Sequence, residues 1–218
     1  MKTGVIFLNT VINCNGVRQL GAVRTPKNVQ MEYIEDKSFE GTDFTVHGIE
    51  PGNYENCKFI NCNFSEVNLS GINFLDCYFD GCNMGMAKLG KTGFRNIQFT
   101  GCKLLGLHFD HCNTIGLEMQ FDNCILNLSS FYQLKLKCIV FKNSILHEVD
   151  LAAADLSNAV FDNCDLKGAM FESTIIEHAD FRTAYNYSID PAKNKIKKAK
   201  FSMAGLIGLL DKYDIVIA

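Results

Sequence analysis

The chain has no tryptophan and only three prolines, and no run in it approaches the ~18 apolar residues of a membrane span. So few prolines exclude a collagen-like or proline-rich rod. With 47% hydrophobic and 21% charged residues, disorder throughout is excluded as well. No P-loop, nucleophile elbow, dinucleotide fingerprint or HExxH pair occurs, which removes the enzyme classes built on them. The N-terminal stretch VIFLNTVI is short and broken by Asn9, and no clear small-residue cleavage site follows it. A cytoplasmic chain is therefore expected. At 218 residues one domain is the default.

Charge is unevenly spread. Residues 1–30 hold four basic groups and no acid, residues 31–183 hold 11 basic and 21 acidic groups, and residues 184–218 hold six basic and three acidic. An acidic middle sits between two basic ends, inside a net charge of −3.

What dominates the chain is a period of five. From Phe39, every fifth residue through Phe109 is large and apolar; the phase fails at Thr114 and resumes two residues late, from Phe121 through Phe181. The two series hold 15 of the 17 phenylalanines, so aromatic content is tied to this register. Neither a helix (period 3.6) nor a flat strand (period 2) produces it. Two residues before the large position stands a small one: eight of the ten cysteines, together with Ala87, Ala154, Ala159, Ala169 and Ala179, occupy that slot. The intervening positions are mostly polar. One large and one small inward residue with three outward ones describe a square coil of four five-residue sides.

Four sides of five make residues 20 apart stack. Phe39, Phe59, Phe79 and Phe99 form a column, which Phe121, Phe141, Phe161, Phe181 and Phe201 continue after the two-residue shift. The shift places a small outward insertion near residues 113–118, on the fourth side of one coil.

The motifs Ala154-Asp155-Leu156-Ser157-Asn158, Cys164-Asp165-Leu166-Lys167-Gly168 and Ala179-Asp180-Phe181-Arg182-Thr183 resemble the pentapeptide repeat consensus Ala-(Asp/Asn)-Leu-X-X. The resemblance covers roughly residues 37–183 and implies an all-β solenoid, a right-handed quadrilateral β-helix. About seven coils are expected, roughly 34 Å long at strand spacing. Residues 1–31 read as a non-repeat segment or cap, with Met31 as an alternative native start. Residues 32–185 read as the β-helix, and residues 186–218 as a C-terminal cap and dimerisation module.

In that last segment Ser202 is a candidate N-cap. Met203, Leu206, Ile207, Leu210 and Tyr213 fall on one helical face, and Asp214–Ala218 reads as a short strand. These five residues with Ile215 and Ile217 are the expected dimer interface.

Candidate chemistry is sparse. The in-phase thiols Cys62, Cys82, Cys102, Cys124 and Cys164 are expected to be free and buried, as a reducing compartment allows. His108 and His111 are expected to point outward without converging, Cys112 inward, and His47 into the lining of the core. No catalytic residue, metal or cofactor is expected, and neither membrane nor direct nucleic-acid contact.

Two functional readings follow. One is a rigid, non-catalytic protein-interaction scaffold. The other comes from the resemblance: quinolone-resistance members of the family are DNA-like dimers that bind type II topoisomerases such as DNA gyrase, and the apolar tail here is similar to theirs. The acids that would carry such binding are Asp150, Asp155, Asp162, Asp165, Glu172, Glu177 and Asp180. Mimicry requires them to form a stripe on one face.

Overall fold

The computed structural model describes residues 32–216; the readings placed on residues 1–31, Ile217 and Ala218 lie outside them. The chain winds as a parallel square solenoid. Its first side is a nine-stranded parallel sheet running from Ser38–Glu40 to Lys200–Phe201, and its fourth side begins as a four-stranded sheet from Glu32–Glu35 to Gly93–Arg95. The second and third sides are joined by single parallel bridges, such as Asn63↔Asn83 and Ser130↔Asp150.

Pairing fixes the register at 20 residues. Phe39 pairs with Phe59, Phe59 with Phe79 and Phe79 with Phe99. Phe99 then pairs with Phe121, and the step returns to 20 from Phe121 to Phe141. Nine strands on one side span about eight turns, one more than the repeat region alone implied. The difference arises because the coil continues through residues 186–201, where the consensus has faded but Phe181 still pairs with Phe201.

The interior is a column of rings. Phe59, Phe79, Phe99, Phe121, Phe141, Phe161 and Phe181 are fully buried, and successive rings stack within 15° or so of parallel in most steps, for example Phe121–Phe141 at 5.1 Å and 5°. Rings of adjoining sides meet edge-on, as Phe131 meets Phe141 at 5.8 Å and 82°. Both arrangements suit the aromatic quadrupole. With every buried Phe worth ~1.5–3 kcal/mol, this column contributes a large share of the rod's stability.

The corners explain the polar residues. Each coil turns through left-handed backbone, at Asn61, Asn96, Asn123, Asn143 and Asn163 among others. Asparagine tolerates that conformation better than most residues, and its amide bridges coils: Asn96 donates to Asp76 at 2.6 Å and Asn163 to Asn143 at 3.0 Å.

The insertion falls where the register predicted. Gly93 pairs with Asn113, 20 residues on, whereas Ile97 pairs with Met119, 22 on. The extra residues leave the wall as a small bulge with Ile115 exposed, and Gly116 adopts φ +70° there. The fourth-side sheet ends at this point.

The C-terminal cap is one short helical stretch, Ala204–Tyr213, with 3-10 turns at both ends. Ser202 caps it, its hydroxyl accepting from the Gly205 N–H at 3.0 Å. The helix rests on Tyr187: a Cβ at Gly208 would lie 2.2 Å from the Tyr187 carbonyl oxygen, so only glycine allows this approach. Leu209 packs on the core, and the Gly208 carbonyl accepts from Ile189. Of the expected terminal strand, the described residues Asp214–Val216 carry no ladder, and Asp214 turns left-handed at φ 47°.

Candidate functional site

The seven candidate acids do not form a stripe. Asp162 and Asp180 flank Phe161 and Phe181 on the first side, and Asp165 lies on the second. Asp150 and Glu172 lie on the third side, Asp155 and Glu177 on the fourth. Several are already engaged. Asp155 pairs with Lys137 at 3.4 Å, Asp165 with His147 at 2.9 Å and Glu172 with Lys193 at 3.2 Å. Asp180 is gripped by Arg182 at 2.7 Å, with Lys200 at 3.9 Å; the Arg182 hydrogen bonds hold its carboxyl below the usual aspartate range. The same end of the rod carries Lys193, Lys195, Lys197, Lys198 and Lys200. Negative potential is therefore broken up rather than focused.

A different pattern stands out on the second side, which reasoning about charge passed over. Met86, Leu105, Ile125, Leu128 and Ile145 are all exposed there, with Val46 and Tyr185 on the same side nearer its two ends. Ile125 and Ile145 are direct bridge partners, and the Met86 sulfur lies over Gly106, whose Cβ would meet it at 2.5 Å. The stripe crosses four consecutive coils, about 14 Å at strand spacing. Met86 and Leu128 occupy left-handed corners, at φ 58° and 60°. A side chain there costs roughly 1–2 kcal/mol relative to the right-handed form. What sets these two apart from other left-handed corners of the same side, such as Glu66 and Glu148, is that the exposed side chain is apolar. The signal was present in the sequence as apolar residues at outward positions of one side, in adjacent columns: Met86 and Leu128 two places after the large inward residue, Leu105 one after, and Ile125 and Ile145 one before.

Other candidate residues resolve as follows. Met203, Leu206, Ile207, Leu210, Tyr213 and Ile215 are all exposed; Ile217 lies outside the described residues. Nine described cysteines are free, and all but Cys138 are buried. The ladder thiols donate to wall carbonyls, as Cys82 does to the Phe59 carbonyl at 3.3 Å. Burial pushes the Cys77, Cys112 and Cys164 thiols up to about 12, so they stay protonated and inert at neutral pH.

Two histidine readings are corrected. His47 is exposed, because the helical turn Phe44–His47 lifts it away from the core slot its spacing assigned. His108 and His111 do converge: with Asp110 they form a cluster whose ligand atoms all lie within 4.8 Å of one another. The cause is a 3-10 turn over Phe109–His111, which places residues three apart on one face. Cys112 points inward as expected. Among the described residues no helix is long and apolar enough to cross a membrane.

Similar architectures are known. A trypsin-treated variant of QnrB1, a plasmid-mediated fluoroquinolone resistance protein, is 17% identical, with 86% of this chain and 99% of that chain covered and a TM-score of 0.56. HetL, a pentapeptide repeat protein involved in heterocyst differentiation regulation in the cyanobacterium Nostoc sp. strain PCC 7120, is 15% identical, with 78% and 87% covered and a TM-score of 0.64. At these identities the likeness is one of fold. No curated protein matches the sequence. The profile of the pentapeptide repeat region matches residues 53–120 and again 117–185, spans that meet across the insertion and take in most of the coil. Ring column, 20-residue register and profile agree: the chain belongs to the pentapeptide repeat family.

Proposed function

We propose that the protein is a non-catalytic scaffold that binds a partner protein through the apolar stripe of its second side. The observation that carries this reading is the run Met86, Leu105, Ile125, Leu128 and Ile145, exposed on a wall whose rigidity comes from the ring column behind it. A preordered flat wall loses little conformational entropy on binding, so modest apolar area suffices. The expected occupant is an apolar protein face. Acids border the stripe at Glu66, Glu148 and Asp165, with Lys103 and Lys167 among them, which makes a mixed polar rim. The exposed tail face is proposed to pair two copies tail to tail, setting two such walls on one particle.

The second reading, binding to a type II topoisomerase in place of DNA, draws on the fold shared with QnrB1 and on the acidic middle of the chain. The dispersal and pairing of the seven acids count against it. Salt separates the two. Apolar docking holds or strengthens as salt rises from 50 to 500 mM, whereas charge mimicry weakens as the screening length shrinks. In a gyrase supercoiling assay the scaffold reading expects neither inhibition nor quinolone protection at tens of micromolar protein. Potent, salt-sensitive inhibition would overturn it.

A further inference from the structure

The corner beside the insertion differs from every neighbouring corner of its side. Elsewhere on the third side the chain turns through a left-handed residue, at Gly71, Lys91, Gln133 and Ala153. At the corresponding place the Phe109–His111 turn is a 3-10 helix, closed by the His111 N–H donating to the His108 carbonyl at 3.2 Å and the Cys112 N–H to the Phe109 carbonyl at 3.0 Å. In a 3-10 turn side chains three residues apart eclipse, so the two imidazoles come together. Their rings lie 4.8 Å apart and 12° from parallel. Asp110 sits between them, one carboxylate oxygen 3.3 Å from His108 Nδ1 and the other 3.6 Å from His111 Nε2.

We propose that His108, Asp110 and His111 bind a divalent transition-metal ion of the zinc class. Bonds of about 2.0–2.2 Å to nitrogen and oxygen in a tetrahedron place ligand atoms about 3.4 Å apart. The Asp110–His108 contact at 3.3 Å runs through one carboxylate oxygen and the Asp110–His111 contact at 3.6 Å through the other; with one ligand atom from each residue, all three lie within 4.8 Å of one another. The remaining closure is a rotation of the exposed imidazoles out of parallel about soft terminal torsions. Two imidazoles and one carboxylate select zinc, nickel or cobalt over calcium and magnesium, which prefer all-oxygen shells. Cys112 faces the core and takes no part. Three protein ligands leave one position for water. The ion would pin the corner just before Asn113, where the fourth-side wall is interrupted, and so stiffen the insertion. The proposal stands independently of the partner surface, which lies on another side.

The test is isothermal titration of the full chain with zinc chloride, and separately with nickel chloride, in a Cys138→Ser background that removes the one exposed thiol described. One ion per chain is expected, with no heat from magnesium or calcium. His108→Ala, His111→Ala and Asp110→Asn should each weaken binding at least about tenfold, the scale seen when metal-site contacts are lost. Nickel should also broaden the ring signals of two of the five histidines in the unsubstituted protein, a readout that needs no variant. Absence of saturable binding at millimolar zinc would overturn the proposal. So would binding unchanged in the double His→Ala variant, or broadening confined to His47, His147 and His178.

Discussion

Removing the ring of Phe141 should be among the most damaging single changes available in this rod. The side chain is fully buried, stacked on Phe121 at 5.1 Å and Phe161 at 5.2 Å, and met edge-on by Phe131 at 5.8 Å. Transfer of the lost surface accounts for ~1.5–3 kcal/mol. Each aromatic pair adds ~0.5–1.5 kcal/mol. Collapse cannot recover much, because the backbones above and below are held apart by the ladder: Val140, Phe141 and Lys142 are paired on both sides. Phe141→Ala should therefore fall in the upper half of the ~3–5 kcal/mol range for such truncations. Phe39 is the internal control. It stands at the column's end, partly exposed, with one stacked neighbour, Phe59 at 5.0 Å. Phe39→Ala should cost less than half as much, roughly 1–2 kcal/mol. Guanidinium denaturation followed by circular dichroism reads both. Equal losses, or a Phe141→Ala loss below about 1 kcal/mol, would refute the stacked column as the seat of stability.

Four further outcomes are expected. Met86→Asn and Leu128→Asn should each raise the stability of the rod by about 1 kcal/mol by relieving left-handed strain, while weakening partner binding; a destabilised Leu128→Asn would count against the strain argument. Thiol labelling without reductant should find Cys138 reactive in the folded chain and the other eight described cysteines reactive only after denaturation, whereas mass-detected disulfides would contradict the free ladder. Asp180 has its carboxyl lowered by Arg182, so its contribution is present above the unfolded value near 4 and is lost as pH falls through its depressed folded value; Asp180→Asn should flatten the acid limb below pH 4, and an unchanged limb would show the pair to be idle. Deleting residues 203–218 should leave a monomer in light scattering, and a full-length chain that is monomeric at high micromolar concentration would exclude the tail-to-tail dimer.

Much of this fold can be read from spacing alone because a solenoid repeats one local decision. Phe at every twentieth residue, a small residue two places earlier and a two-residue slip near Thr114 are enough to fix register, core and insertion. What escaped has local causes. His108 and His111 converge because one corner changed from a left-handed turn to a 3-10 turn, and five-residue spacing does not encode which turn forms. His47 left the core for the same kind of reason, in the turn Phe44–His47. The final apolar residues favoured a strand, but among the described residues no strand follows Lys200–Phe201. The stripe on the second side was legible: with the two-residue slip counted, Ile125 and Ile145 continue the outward column of Lys103 and Leu105 falls in the column beside it, at positions where polar residues prevail elsewhere.

The central claim is that partners are held by the second side and not by the dispersed acids. Its most direct measurement is affinity for a partner retained from the native host, compared between two variants of equal fold. In one, Leu105, Ile125 and Ile145 become Asp; in the other, Asp150, Asp155, Asp162 and Asp165 become Asn. The account predicts that the stripe variant loses at least about a hundredfold, close to 3 kcal/mol, and that the acid variant binds within a factor of a few of the parent. Full affinity in the stripe variant together with loss in the acid variant would contradict it and return the protein to the charge-mimicry reading.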